Sequence, residues 1–167
     1  MKPNIRVLIL SILFFSALAM QANNANSSEQ RSTEMMDVGD EYVQEISDEA
    51  EVLKGLIRAE YERLEFSGEI KSMGNGRNDI AEVVKKVIKP DMPFERAERV
   101  LKAAGFEVGP RGQNFLFPKI YEVSAKIESY SPTVAGRTGI YISLQPKSAE
   151  DWSVIFLIQA EIIRQFI

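Results

Sequence analysis

The amino-acid sequence predicts an α+β domain in which N-terminal helices pack on a three-stranded antiparallel meander, giving a two-layer sandwich. In residues 42–66, apolar side chains recur every three or four positions, which is typical of a helix with one buried face. From residue 119 onward, apolar and polar side chains alternate, which is typical of strands with one buried face. Helical patterns followed by strand patterns indicate the α+β class.

The N-terminus predicts export. Residues 1–22 have the three parts of a secretory signal peptide, namely a basic head, an apolar run and small residues behind it. The A-x-A pattern predicts cleavage after Ala19, with cleavage after Ala22 as the alternative. As a helix, the apolar stretch 7–20 would span about 21 Å, which is short of a hydrocarbon core of roughly 30 Å. We therefore expect a periplasmic or secreted protein with no stable membrane anchor once the signal peptide is cleaved.

The composition excludes several kinds of chemistry. Removal of Lys2 and Arg6 with the signal peptide changes the formal net charge from −4 to −6, so the exported protein is acidic. Nucleic-acid binding needs clustered Lys and Arg, and the sequence has no such cluster. Without His or Cys, the chain lacks the usual zinc, copper and iron ligands and the Ser/His and Cys/His nucleophile pairs. We therefore expect no nucleic-acid partner, no metal site and no cofactor.

The rest of the chain is expected to form one domain behind a leader. Residues 23–42 are polar, small and aperiodic, and their apolar surface is too small to offset the entropy lost on ordering. They are predicted to be a flexible leader. Residues 43–167 are enough for a single globular α+β domain with a sizeable core, but hardly for two domains.

The first predicted helix, over residues 42–66, has an apolar face and an acidic face. The apolar face comprises Val43, Ile46, Ala50, Leu53, Ile57, Tyr61 and Leu64. The acidic face carries Glu45, Asp48, Glu49, Glu51 and Glu60. Two of these carboxylates would suit a glycosidase, whereas acidic residues on an exposed helix face usually only keep a protein soluble. The second interpretation is favoured because nothing in the sequence indicates the burial that raises a carboxyl pKa.

Two shorter helices are predicted around a proline-containing corner. The first covers residues 80–88 and ends before Pro90. The second begins at Pro93 and Phe94, and Gly105 has the position of a left-handed terminating residue. The predicted core residues here are Ala97, Val100, Leu101 and Ala104, with Met92 and Phe106 beneath the corner. Exposed ion pairs are predicted between Glu95 and Arg99 and between Glu98 and Lys102.

Three strands are predicted after the corner. The first covers residues 119–130 and the second residues 140–146, with a turn between them. The inward residues of the first strand are Tyr121, Val123, Ala125 and Ile127. The last segment, 152–167, fits either a strand or a helix. Its even positions are uniformly apolar from 152 to 162, so a long third strand is predicted.

The stretch NFLFP is unusually apolar for a connection between elements. It places Phe115, Leu116 and Phe117 between Gly112 and Pro118. Burial at the start of the first strand is the favoured interpretation, since large apolar side chains are usually buried. If exposed, the same side chains would anchor a contact with a partner protein.

The corner and the meander together resemble a known family. Over residues 78 to about 160, the order of a helix, the stretch IKPDMPFERA, a second helix and an antiparallel meander is similar to the small domain of the SmpA/BamE-type outer-membrane-assembly lipoproteins and the β-lactamase-inhibitor proteins. The residues in comparable places are Ile88, Met92, Pro93, Ala97 and Gly105. Asp91 stands where that group has glycine, and its lipobox cysteine is absent. The resemblance implies an exported, non-enzymatic protein that binds other proteins.

The sequence thus predicts an exported, non-enzymatic protein-binding or inhibitor-like module whose partner is an unknown envelope protein. Phe115, Leu116 and Phe117 are its candidate binding residues, and no catalytic residue is assigned. The alternative is a carboxylate-based hydrolase that acts on envelope glycans. An immunity protein against a competitor's toxin would share the acidic charge and the export route.

Overall fold

The computed structural model describes residues 40–70, 76–133 and 136–166. The predicted signal peptide and most of the predicted leader lie outside these residues. Within them the chain forms three helices and six strands. In chain order they are α1 (40–66), β1 (Arg77–Asp79), α2 (Ala81–Val84), α3 (Phe94–Ala103), β2 (Glu107–Val108), β3 (Gly112–Gln113), β4 (Tyr121–Thr133), β5 (Gly136–Gln145) and β6 (Leu157–Phe166).

The chain divides into two units. The first is Met1–Gln44, of which only the beginning of α1 is described. The second is the compact unit Glu45–Ile167, which contains the remainder of α1 and every other described helix and strand.

The six strands form one antiparallel sheet in the order β1-β6-β5-β4-β2, with β3 also paired to β4. The predicted meander is present as β4, β5 and β6, where Ile127, Ile140 and Ile162 lie side by side. The prediction of only three strands is wrong, because β1 adds to the outer side of β6, and β2 and β3 add to β4. Each added strand has two or three residues, which is too short for a periodic apolar pattern.

One face of the sheet is buried. Its buried residues are Val123 and Ala125 of β4, Ile140, Ile142 and Leu144 of β5, and Ile158, Ala160 and Ile162 of β6. The helices contribute Leu53, Ile57, Phe94, Val100 and Leu101 to the core. On the other face, Ser124, Ser143 and Gln159 are half-buried or exposed. This burial pattern confirms the α+β class, with the long strands buried on one face.

The helix predictions hold in most details. In α1 the predicted inner residues from Ile46 to Leu64 are buried, but Val43 is exposed. The second predicted helix is shorter than 80–88, because α2 ends at Val84 and is followed by turns. In α3 the predicted inner stripe is buried, and Gly105 has the expected positive φ of 90°.

The corner before α3 is held to the segment that precedes β6. Asp91 N donates to Ile155 O at 2.8 Å, and Ile155 N donates to Met92 O at 3.0 Å. Met92 is half-buried rather than fully in the core, whereas Phe106 is buried as predicted.

One of the two predicted ion pairs of α3 is present. Glu95 pairs with Arg99 at 2.5 Å. Glu98 instead pairs with Arg111 at 2.7 Å, so the prediction of an ion pair between Glu98 and Lys102 is wrong. The Glu98–Arg111 pair links α3 to the segment before β3, which a helical spacing rule cannot anticipate.

The last segment is a strand, as predicted, but β6 begins at Leu157 rather than Trp152. Trp152 packs edge-to-face on Phe94 with 5.2 Å between ring centroids, and its indole N–H donates to Ala149 O at 2.8 Å. Residue 152 therefore belongs to the connection between β5 and β6. Phe156, which the alternating pattern placed inward, is exposed.

Candidate functional site

The candidate site is the connection between β3 and β4, residues 114–120, which is called the 114–120 loop. The short pairing of Gln113 with Tyr121 brings the two ends of the loop together at one end of the sheet. Pro118 lies within the loop, and it has no N–H to offer to a ladder. The loop thus projects from the point where the long strand β4 begins.

Asn114 closes the loop from inside. Its Oδ1 accepts hydrogen bonds from Leu116 N at 2.8 Å and from Phe117 N at 2.9 Å. Asn114 N donates to Ile120 O at 2.8 Å, and Ile120 N donates to Phe117 O at 2.8 Å. Asparagine is suited to this role because its short amide reaches backbone groups two and three residues onward.

The loop is also attached to the sheet. Asn114 Nδ2 donates to Glu122 Oε1, and Ser143 Oγ donates to Glu122 Oε2. Gln113 Nε2 donates to Pro118 O across the loop. These contacts connect the loop to β4 and, through Ser143, to β5. The loop backbone therefore has a defined conformation that its own side chains maintain.

The apolar side chains of the loop are exposed. The exposed fractions are 97% for Phe115, 75% for Leu116 and 60% for Phe117. The favoured prediction that they begin the first strand and cap the core is therefore wrong. The reason is local, because the side chain of Asn114 binds the N–H groups of residues 116 and 117, and β4 starts only at Tyr121.

Asn114, Glu122 and Ser143, which position the loop, were not identified from the sequence. The Asn114 signal was available, since asparagine ahead of a loop that contains proline is typical of a side-chain-closed turn. Glu122 and Ser143 come together through the register of β4 and β5. In this register Val123 pairs with Leu144, and these two residues directly follow Glu122 and Ser143 in the chain. No local pattern in the sequence shows that register.

Two further apolar side chains lie at the same end of the sheet. Phe156 and Leu157 are 62% and 40% exposed. Leu157 pairs with Gln145, and Leu144 pairs with Val123 near the start of β4. The start of β6 and the start of β4, where the 114–120 loop ends, are therefore separated by β5, and the axes of β4 and β6 lie roughly 10 Å apart. Together they place five exposed apolar side chains at one end of the molecule.

The acidic face of α1 forms ion pairs. Arg96 of α3 lies 2.7 Å from Glu45 and 2.9 Å from Glu49. The hydrogen bond from Arg96 lowers the pKa of Glu45, and the hydrogen bond from Arg63 lowers the pKa of Glu60. A glycosidase proton donor needs a raised pKa. These carboxylates instead have the properties of ion-pair partners that join helices or adjacent turns.

The other two acidic residues of that face are also at the surface. Glu51 pairs with Lys54 within α1, and Asp48 is exposed. In the described ranges, no three acidic side chains are grouped so that they would hold a metal ion. Among those same residues, no helix has the length and apolar character needed to cross a membrane.

The 114–120 loop places three consecutive exposed apolar side chains, Phe115, Leu116 and Phe117, on the surface, and a stable fold by itself does not explain this run. Glu122 and Ser143 connect this loop to the sheet. No protein-family model, curated protein or solved structure matches the chain.

Proposed function

We propose that the chain is an exported, non-enzymatic protein-binding or inhibitor-like module, and that Phe115, Leu116 and Phe117 form its contact with the partner. The observation that supports this most is their exposure on a hydrogen-bonded loop. Full burial of a Phe or Leu side chain is worth about 1.5–3 kcal/mol. The folded chain gains little of this free energy by itself, whereas a complex would gain it.

The defined conformation of the loop favours binding. A loop that is already ordered loses little conformational entropy on association, so more of the burial energy appears as affinity. Aromatic side chains add large contact areas with few rotatable bonds. Asn114 supplies the order, because its side chain binds two backbone N–H groups of the loop.

Export and the SmpA/BamE-type resemblance belong to the same proposal. The signal-peptide pattern of residues 1–22 supports an envelope location. Asp91 has a φ of 68°, which is a left-handed conformation that favours glycine. Glycine is the residue that the SmpA/BamE-type group carries at the corresponding position. This conformation supports a similar corner in the two cases.

The glycan-hydrolase alternative has no comparable support. Two of its candidate carboxylates, Glu45 and Glu60, have lowered pKa values and are paired with arginines. A proton donor at neutral pH requires the opposite shift. Binding therefore accounts for the described surface better than hydrolysis does.

The test is a cross-linked pull-down from envelope extract with the tagged full chain. The variant carries Phe115→Ala and Phe117→Ala, and the matched control carries Phe66→Ala. Phe66 is as exposed as Phe115, at 97%, but lies at the end of α1. We expect one protein to be captured by the wild type and by the control, and to be lost with the loop variant. Equal capture by all three proteins would contradict the assignment of the loop as the contact surface.

A further inference from the structure

We infer that the partner protein presents a concave apolar pocket with a carboxylate at its mouth, and that the 114–120 loop inserts into this pocket. This inference rests on the proposed function and specifies the partner of the same site. It follows from the shape of the loop, its fixed conformation and the charge beside it.

The shape of the site requires a concave partner. With 97% of Phe115 exposed, almost none of its surface is covered by its own chain. Leu116 and Phe117 are 75% and 60% exposed, so the three side chains form a convex projection. A flat partner surface would cover one side of each ring only. Burial of most of this area requires a pocket that surrounds the tip of the loop.

The fixed backbone adds to this requirement. Asn114 binds the N–H groups of residues 116 and 117, and Glu122 binds Asn114. A loop held in this way cannot flatten onto a partner without losing these bonds. The partner must therefore be complementary to the loop in this conformation, like a pocket that binds a preorganised ligand.

The loop itself carries one cation, Lys119, although the chain is acidic overall. The acidic residue nearest to it along the chain, Glu122, lies on β4, where its carboxylate accepts hydrogen bonds from Asn114 and Ser143. Residues 109–120 contain Arg111 and Lys119 and no acidic residue. Arg111 is already neutralised, since its Nε lies 2.7 Å from Glu98 and its guanidinium lies 5.5 Å from the centre of the Phe94 ring. Lys119 is exposed and forms no ion pair with another described residue. A carboxylate at the pocket mouth would pair with the exposed Lys119 ammonium.

Phe156 and Leu157 define a second contact. Both are exposed, and they lie at the start of β6, which is separated from β4 by β5. A pocket that accepts the loop would therefore have an apolar rim on the β6 side. This second contact sets the orientation of the partner relative to the sheet.

An anionic lipid surface offers the same two chemistries, apolar burial and negative charge, but the observations favour a protein. Stable attachment to a membrane surface takes more than one signal, such as a chain anchor together with a polybasic patch. Lys119 is the one cation of the loop, it forms no ion pair with another described residue, and the net charge of −6 expected after signal-peptide removal opposes approach to an anionic bilayer. A protein pocket needs only one local carboxylate.

The test uses site-specific photo-cross-linking in the producing cell with the full chain. The photoreactive residue p-benzoylphenylalanine replaces Phe117 in one protein and Phe66 in the control. We expect position 117, and not position 66, to give adducts with one protein, and the modified partner residues to line a single apolar pocket. The association rate of the purified pair is then measured with Lys119→Glu and with the conservative Lys119→Arg at low and high salt.

The association rates of the Lys119 variants test the proposed carboxylate at the pocket mouth. Lys119→Glu is expected to slow association by roughly 3- to 10-fold at low salt and by much less at high salt, while Lys119→Arg leaves the rate unchanged. Replacement of the carboxylate at the pocket mouth by Lys is expected to restore the rate of the Lys119→Glu protein.

Each other outcome overturns either the pocket inference alone or the proposed function with it. Protein adducts on a flat surface, or equal rates for Lys119→Glu and wild type at low salt, would overturn the pocket inference and leave the proposed function standing. Adducts only with lipid, or no adducts at position 117, would overturn the proposed function together with the inference. The two failures are therefore distinguishable.

Discussion

At the scale of single residues, Asp91 has a left-handed backbone with a φ of 68°. This conformation costs an L-residue about 1–2 kcal/mol, and aspartate tolerates it better than most because its side chain bonds locally. The conformation is retained because Asp91 N donates to Ile155 O, which ties the corner to the segment before β6. The corner therefore contains local strain that the surrounding fold maintains.

Substitution of Asp91 tests this strain. We expect Asp91→Ala to lower the free energy of unfolding by about 1 kcal/mol, because alanine is disfavoured at this φ more strongly than aspartate is. Asp91→Gly is expected to leave it unchanged or to raise it by up to about 1 kcal/mol, because glycine adopts the conformation without strain. Urea denaturation of both variants checks the difference, and equal stabilities of the Ala and Gly proteins would contradict it.

At the scale of elements, the 114–120 loop depends on one side chain. Asn114→Ala removes the acceptor of two backbone N–H groups and the donor to Glu122. We expect amide hydrogen exchange at residues 116 and 117 to become about fivefold faster or more, since each amide loses one hydrogen bond and a net hydrogen bond is worth about 1 kcal/mol.

The matched control for this loop is Asn114→Asp. This variant retains the Oδ1 acceptor but loses the donor to Glu122 and places a second carboxylate beside it. Exchange at residues 116 and 117 is expected to stay closer to wild type than in Asn114→Ala. Unchanged exchange in Asn114→Ala would show that the loop is held by something other than this side chain.

The ion cluster of Arg96 with Glu45 and Glu49 joins α1 to α3 and predicts a pH dependence. The hydrogen bond from Arg96 holds the pKa of Glu45 below its ordinary value of 4.5. Its stabilising contribution is therefore present above about pH 4.5 and is lost as the pH falls through the lowered pKa.

Denaturation of wild type and of Arg96→Gln across a pH series measures this contribution. The difference in unfolding midpoint is expected to be steady above pH 4.5 and to shrink below it. A difference that grows as the pH falls would contradict the assignment. Glu95→Gln, which breaks the exposed pair with Arg99, serves as a control on α3.

The elements differ in how far the sequence predicts them. The helix α1, the helix α3 and the three long strands follow from periodicity, because each is long enough to repeat its pattern. The short strands β1, β2 and β3 exist through pairing, as in the match of Arg77 with Ile163, and their own residues carry no pattern. Phe156 follows the alternation of β6 but lies before its first residue, so its burial was predicted wrongly.

At the scale of the whole molecule, the sheet has two distinct ends. Near one end, Arg164 of β6 lies 3.3 Å from Glu65 of α1, and Arg164 is the cross-strand partner of Thr138. The 114–120 loop precedes β4 at the other end, where Val123 pairs with Leu144 and Gln145 pairs with Leu157. The separation along β5 from residue 138 to residue 145 is about 23 Å. Phe66 on α1 therefore lies far from the loop, and its substitution is a control for every loop variant.

The sequence identifies the apolar residues of the candidate site but does not predict that they are exposed. Three consecutive apolar residues at 115–117 fit both burial in the core and exposure on a contact surface. The difference between these depends on the Asn114 turn and on the position where β4 begins. Both are properties of the folded chain and its strand register.

The central claim is that Phe115 and Phe117 are held at the surface for a partner and do not contribute to the core. The most direct measurement is the thermal unfolding midpoint of the Phe115→Ala, Phe117→Ala protein beside wild type. We expect a change within about 4 °C, because each surface substitution alters the free energy of unfolding by about 0.5 kcal/mol or less. Two core Phe→Ala changes would cost roughly 6 kcal/mol or more, so a fall of about 15 °C or a failure to fold would contradict the account.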